Sequence, residues 1–312
     1  MRKPYSSDAV EKARKKRLLI SALIIFILIP LTIAAGIMVG DRKYMIISTL
    51  ILIYVMAPFF LVYERRKPKA REIVMVAVLS ALTAFGNLIS ASVMPIQMGT
   101  AMVIITGISF GPETGFLVGC LGRFVANFFQ GQGPWTPWQM FCWGLLGFLA
   151  GIIFHKIDIE KPQERNFKII VGPVLCVIAA VIVAYVSYLI LPMGDDTFFG
   201  WRLYVFGAIG LIAGVVLQHK RLPVDDITLT CYTFFSVFII YGGIINICAM
   251  CTSVGIQPEN TISWDAMKLL YISGVPFDAI HALKASIFMF FFGEKMIRKL
   301  ERIKIKYGFY RI

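Results

Sequence analysis

Ten apolar stretches recur along the 312-residue chain, at about 18–40, 45–63, 72–90, 96–110, 113–130, 140–155, 169–191, 203–218, 227–250 and 275–293. Each is bounded by a turn, a Pro/Gly break or a charged run. About 20 apolar residues are needed to span a bilayer as a helix, and in lipid only a helix or a closed barrel satisfies its own backbone groups. The pattern predicts an all-α polytopic membrane protein of about ten transmembrane helices. With 58% hydrophobic and 16% charged residues, the chain has no charged stretch long enough for a separate soluble domain. Segments 96–110 and 113–130 are joined by Gly111-Pro112-Glu113, where Gly suits a cap, Pro a first helical position and Glu the positive end of the helix dipole. The first of the two is short for a full crossing.

Basic residues assign the orientation. With a cytoplasmic N-terminus, 25 of the 31 Lys and Arg fall in the inner stretches 1–17, 64–71, 156–168, 219–222 and 294–312. Arg42, Lys43, Arg202 and Lys268 fall in outer loops, beside Asp195, Asp196, Glu259 and Asp265, and Arg123 and Lys284 lie within helices. Both termini are therefore expected in the cytoplasm of a bacterial plasma membrane. The net charge of +13 is accounted for by topology and anionic inner-leaflet lipid, with no nucleic-acid partner. The long segment 18–40 leads straight into a second span, as a retained helix does rather than a cleaved signal. Six cysteines lie in or beside apolar segments, where thiols pack as small hydrophobes, and the single Cys248-Ala-Met-Cys251 pair has no second pair to complete a metal site. No cofactor is implied. No nucleotide-binding phosphate loop, HExxH or GxSxG motif occurs, so the chain carries no ATPase of its own.

Polar residues inside such helices need a use, since a Lys near the bilayer centre costs on the order of 3 kcal/mol on insertion scales. Asp278, His281 and Lys284 form an i, i+3, i+6 stripe, with Pro276 expected as the first residue of the last helix. Arg123 and Asn127 are one turn apart, and Asn87, Gln97, Asn246 and Gln139 stand near outer helix ends. Singly, these groups serve as interhelical hydrogen bonds or capping charges. Jointly, two buried cations, Arg123 and Lys284, face one obvious buried anion, Asp278, leaving a positive charge for an anionic ligand group. Above this depth runs Gln130-Gly-Gln-Gly-Pro-Trp-Thr-Pro-Trp-Gln139, in which Trp135 and Trp138 serve either as interfacial anchors or as a lid stacking on a planar ligand.

The motifs Ser109-Phe-Gly-Pro-Glu-Thr-Gly115, Leu121-Gly-Arg-Phe-Val-Ala-Asn127, Gly133-Pro-Trp-Thr-Pro-Trp138, Gly274-Val-Pro-Phe-Asp-Ala-Ile-His281 and Arg298-Lys-Leu-Glu-Arg-Ile-Lys304 resemble those of the S components of energy-coupling factor transporters. The resemblance implies a six-helix core in 65–156 and 225–312, with a basic N-terminus and extra hairpin in 1–64 and a second extra hairpin in 157–224. It also implies capture of a vitamin or related micronutrient, with a transmembrane coupling subunit and two ATPase subunits as partners. The family's small-residue motif on the first core helix is matched by Ala77-Val-Leu-Ser-Ala81, followed by Ala84, as the coupling-subunit contact. Lys284 departs from the polar, uncharged residue of related sequences. The aromatic loop and numerous polar groups suit a large, amide-bearing ligand with a phosphate, and a cobalamin-type corrinoid is the expectation. Two other classes stay open: an intramembrane enzyme with Asp278 and His281 as an acid/base pair, and a self-sufficient secondary carrier.

Overall fold

The computed structural model describes residues 7–39, 44–61, 70–92, 96–154, 168–192, 195, 197–218, 220–256 and 263–308. The basic stretches 64–69 and 156–167, and the loop residues Arg42, Lys43, Asp196 and Glu259, lie outside the described residues. Thirteen α-helices appear among the described residues: α1 (Ser7–Leu23), α2 (Ile29–Val39), α3 (Tyr44–Leu61), α4 (Ala70–Ser92), α5 (Met98–Phe110), α6 (Pro112–Gln130), α7 (Thr136–Ile153), α8 (Lys168–Ile190), α9 (Trp201–Leu217), α10 (Asp226–Phe235), α11 (Gly242–Ile256), α12 (Trp264–Phe288) and α13 (Glu294–Lys306). Three π-helical turns, Ile24–Leu28, Ser236–Tyr241 and Met289–Gly293, fuse α1 with α2, α10 with α11 and α12 with α13. The outcome is ten continuous rods, one for each apolar stretch. Six helical stretches are long and apolar enough to cross a membrane, while Met45–Tyr54, Met98–Phe110 and Trp201–Leu217 are shorter apolar helices. The protein is thus all-α and polytopic.

The last rod departs from expectation. It begins at Trp264, capped by the Ser263 hydroxyl accepting from the Ala266 N–H at 3.1 Å, and Pro276 lies inside it. The apolar period alone hid the first three turns, because Asp265, Lys268 and Ser273 interrupt it. Asp278 therefore stands about four turns into the helix and is no capping charge.

Lipid offers no hydrophobic drive for helices to associate, so small residues bring backbones together. A Cβ on Gly107 of α5 would lie 2.0 Å from the Gly147 carbonyl oxygen of α7, and one on Gly115 of α6 would lie 2.6 Å from the Gly107 Cα. Three backbones thus touch at one point. The α8–α9 hairpin uses the same device, with Gly210 against Val177 and Gly214 against Pro173.

Ion pairs and caps gather at one end of the bundle. Arg17 Nε meets buried Glu113 at 2.7 Å, and Lys304 Nζ donates to the Ser109 carbonyl at 2.8 Å. The Gly111 turn, with φ of 100°, is thereby held from both sides by the first and last rods. Leu222 N donates to the Ile153 carbonyl at 2.9 Å at this same end, which also carries Lys168, Lys220 and Arg221. At the opposite end Arg202 and Lys268 are answered by acids: Asp195 lies 3.0 Å from Arg202 and 3.8 Å from Lys268, and Asp265 lies 3.0 Å from Lys268.

Candidate functional site

The start of α5 is set into the bundle rather than at its rim. Gln97 N donates to the Lys284 carbonyl at 3.2 Å, and Met98 N donates to Ser90 Oγ at 3.1 Å. Lys284 is 20 residues past Trp264, about 30 Å along its rod. Gln97, just before α5, therefore lies at that level, and α5, 13 residues long, rises only about 20 Å to the basic end. Its orphan N–H groups place the positive end of a helix dipole in the interior. Asn87 packs beside this start, since a Cβ on Gly99 would meet its side-chain oxygen at 2.3 Å. Its carbonyl accepts from Gln130 at 3.1 Å, while its buried Nδ2 makes no hydrogen bond among the described residues.

Around that start lies an aromatic and cationic cluster. The Trp143 indole N–H donates to Thr100 Oγ1 at 3.2 Å, and the Thr100 hydroxyl lies 2.9 Å from His281 Nε2. Because an indole only donates, the hydroxyl accepts from Trp143 and has its proton to offer His281. The π-helical turn aims Tyr241 at the same place, with its ring centroid 4.5 Å from His281 and 4.7 Å from Trp143. The Arg123 guanidinium lies over the Trp143 ring at 4.7 Å, and its Nε donates to Gln139 Oε1 at 2.9 Å. Asn127 Nδ2 donates to the same Gln139 oxygen at 2.8 Å and to Thr136 Oγ1 at 3.1 Å. Thr136 in turn donates to Gln132 at 2.9 Å and accepts from Gly133 N at 3.2 Å, so the Pro/Trp loop is chained to Arg123. Among the described residues the Lys284 ammonium makes no hydrogen bond or ion pair, and of the Arg123 guanidinium only Nε donates.

Asp278 belongs to a second cluster. Its Oδ2 accepts from the Tyr204 hydroxyl at 2.5 Å and from Asn246 Nδ2 at 2.8 Å. Tyr204 comes from α9, stacks on Phe238 with centroids 5.2 Å apart, and lies 4.9 Å from the Tyr271 ring. The single polar depth read from the sequence thus resolves into two groups. One contains Arg123, Asn127, Gln139, His281 and the α5 start with Asn87, Gln97 and Lys284. The other joins Asp278 and Asn246, and their neutral partners, rather than the two cations, occupy the carboxyl. Trp135 is 37% exposed and folds over Gly133, whereas Trp138 is half-buried and packs on the core. Ala77 and Ala81 are exposed on α4 beside Ile73, Val74, Val78 and Phe85, and Ala84 faces inward.

Thr100, Trp143, Tyr241 and Tyr204 escaped the sequence reading. Trp143 was findable, since it follows Gln139 by one turn and so shares its face. Tyr204 was hidden because its helix read as an addition to the core, and Thr100 and Tyr241 carry no local signal.

The profile of the family described as "ECF-type riboflavin transporter, S component" matches residues 67–200. That match begins just before α4, runs through α5–α7 and continues across α8, the first helix of the stretch read as a second added hairpin. A UPF0397 protein of Aliivibrio fischeri is 30% identical over 112 residues, covering 33% of this chain and 60% of the relative. A UPF0397 protein of Streptococcus gordonii is 28% identical over 120 residues, covering 38% and 62%. The chain spans about 60% of the length of these relatives. No solved structure matches. Over residues 67–200, less than half of its length, the chain is therefore similar to the S components of energy-coupling factor transporters.

Proposed function

We propose that this protein is the substrate-capture subunit of an energy-coupling factor importer, taking a vitamin-class ligand into the cluster around Thr100, Arg123, Trp143, Tyr241 and His281. The observation that carries the reading is the buried start of α5, where a helix dipole, Arg123 and Lys284 converge beneath the loop of Trp135 and Trp138. The anion that the sequence reading set against these cations, Asp278, accepts at Oδ2 from Tyr204 and Asn246 instead, which favours an anionic or electron-rich ligand group as the cations' counterpart. Asn87, Gln97, Asn127 and Gln139 supply polar contacts or hold the cations, Asp278 and Asn246 fix α12, and the two Trp cover the site.

Asp278 and His281 bond to different partners, Tyr204 and Asn246 against Thr100, so the acid/base pair of the enzyme alternative has no support here. The exposed, small-residue face at Ala77 and Ala81 suits close approach by a helix of the coupling subunit, which works with two ATPases. Orientation follows the charges: the end bearing Arg17, Lys168, Lys220 and Lys304 is cytoplasmic with both termini, and Arg202 and Lys268, neutralised by Asp195 and Asp265, face outside.

The finer assignment is a corrinoid, because the polar groups spread over α4–α7, α11 and α12 offer contacts to a wide, amide-rich ligand. A flavin is the second reading, favoured by the description of the matching family and by the Trp143, Tyr241 and His281 rings. Native mass spectrometry of protein purified from its own host, followed by titration with cobalamin and riboflavin, decides between them. A retained corrinoid supports the first assignment, a retained flavin replaces it, and absence of binding by either, with no copurifying ATPase pair, overturns the capture reading.

A further inference from the structure

A cleft of about 360 Å3 opens between the end of α7, the first half of α8, the second half of α9, and α10. That is within the range of roughly 300–1,000 Å3 typical of small-molecule sites. Its walls are apolar: Leu149, Ile153, Pro173, Val177, Val215 and Phe235. Its rim on the lipid side is open, with Ile212 64% and Val216 67% exposed. Its charged lining lies at the basic end of the bundle, where exposed Lys220 and half-buried Arg221 line it beside Gln218, while Tyr232 and Ser236 are the hydroxyl residues further along.

The cations are held there by backbone. Leu222 N bonds to the Ile153 carbonyl at 2.9 Å, pinning the segment that carries Lys220 and Arg221 to the end of α7. Gly214 against Pro173 clamps the opposite wall.

An apolar slot open to lipid, with fixed cations at its interfacial end, has the charge and shape complement of one membrane component. We propose that it is a binding site for an anionic phospholipid, one acyl chain lying along Val177 and Val215 and the phosphate meeting Lys220 and Arg221. The site is separate from the ligand cluster and tests independently of it.

The test is native mass spectrometry of the detergent-solubilised full chain mixed with equal amounts of phosphatidylglycerol and phosphatidylcholine. Wild type is expected to retain one phosphatidylglycerol in preference, each cation contributing about fivefold. Lys220→Ser should lower that preference by about fivefold, and Lys220→Ser with Arg221→Ser should bring the two lipids close to parity. Val177→Trp should displace both lipids by filling the slot. Lys220 is exposed, so its variant reports on the site even if Val177→Trp misfolds. Equal retention of the two lipids by wild type overturns the proposal, as does a phosphatidylglycerol preference unmoved by the charge variants.

Discussion

The two polar clusters inside the bundle treat charge in opposite ways. Around Asp278 both donors to Oδ2 are neutral groups of the protein, Tyr204 on α9 and Asn246 on α11, so the acid joins three rods. Around Arg123 the bonds run toward the loop and stop, leaving guanidinium nitrogens, the Lys284 ammonium and Asn127 Oδ1 unengaged among the described residues. In the first cluster protein donors already meet Oδ2 of the acid; in the second the cations keep unengaged donors below a loop, which is what the proposed ligand site rests on. Burial of a charge in lipid therefore does not by itself mark a ligand site; what separates the two cases is whether the protein has already supplied the partners.

The contrast breaks most readily at Asp278. Asp278→Ala leaves the Tyr204 hydroxyl and the Asn246 amide buried without their acceptor and is expected to cost about 3 kcal/mol or more in stability, read as a lowered midpoint of thermal unfolding in detergent. A variant as stable as wild type would remove the structural reading of that cluster. Arg123→Gln and Lys284→Met are expected to do the reverse: ligand affinity falls about ten- to a hundredfold, the equivalent of about 1.5–3 kcal/mol, with the unfolding midpoint nearly unchanged. Calorimetric titration with the ligand identified from the host checks this, and unchanged affinity in both variants would make the cations structural as well.

Smaller changes sharpen the boundary between the clusters. Tyr204→Phe removes one donor to Asp278 and keeps the stacked ring, so a loss of about 1.5 kcal/mol in stability is expected with ligand affinity intact. If affinity falls as well, the two clusters are coupled through α12. Trp135→Ala, at an exposed position, is expected to leave stability within about 0.5 kcal/mol and to speed ligand release a few-fold in stopped-flow exchange, since only a cover is lost. An unchanged release rate would assign Trp135 to interfacial anchoring.

The helices were legible because lipid imposes one simple requirement, about 20 apolar residues at a time, and ten such stretches correspond to ten rods. Arg123 with Asn127, and the short α5, could also be read, since helical spacing and length are local properties. Partner choice was not legible. Nothing local distinguishes Asp278 facing Arg123 from Asp278 facing Tyr204, because that depends on how distant helices rotate about their axes. The onset of α12 was misplaced for a related reason: its first turns carry Asp265, Lys268 and Ser273, whose polar character reflects Asp195 and the interface across from them.

The shortness of α5 bears on the work of transport itself. At about 20 Å it falls short of a hydrocarbon core of about 30 Å, so its first turn lies inside the bundle rather than at the far surface. A ligand resting against Thr100 and Arg123 would already have traded that part of its journey, and much of its hydration shell, for contacts with protein. On the proposed capture role, ATP-driven partners would be left only the remainder of the crossing. On that role, part of the ligand's dehydration would be met by equilibrium binding before any nucleotide is hydrolysed.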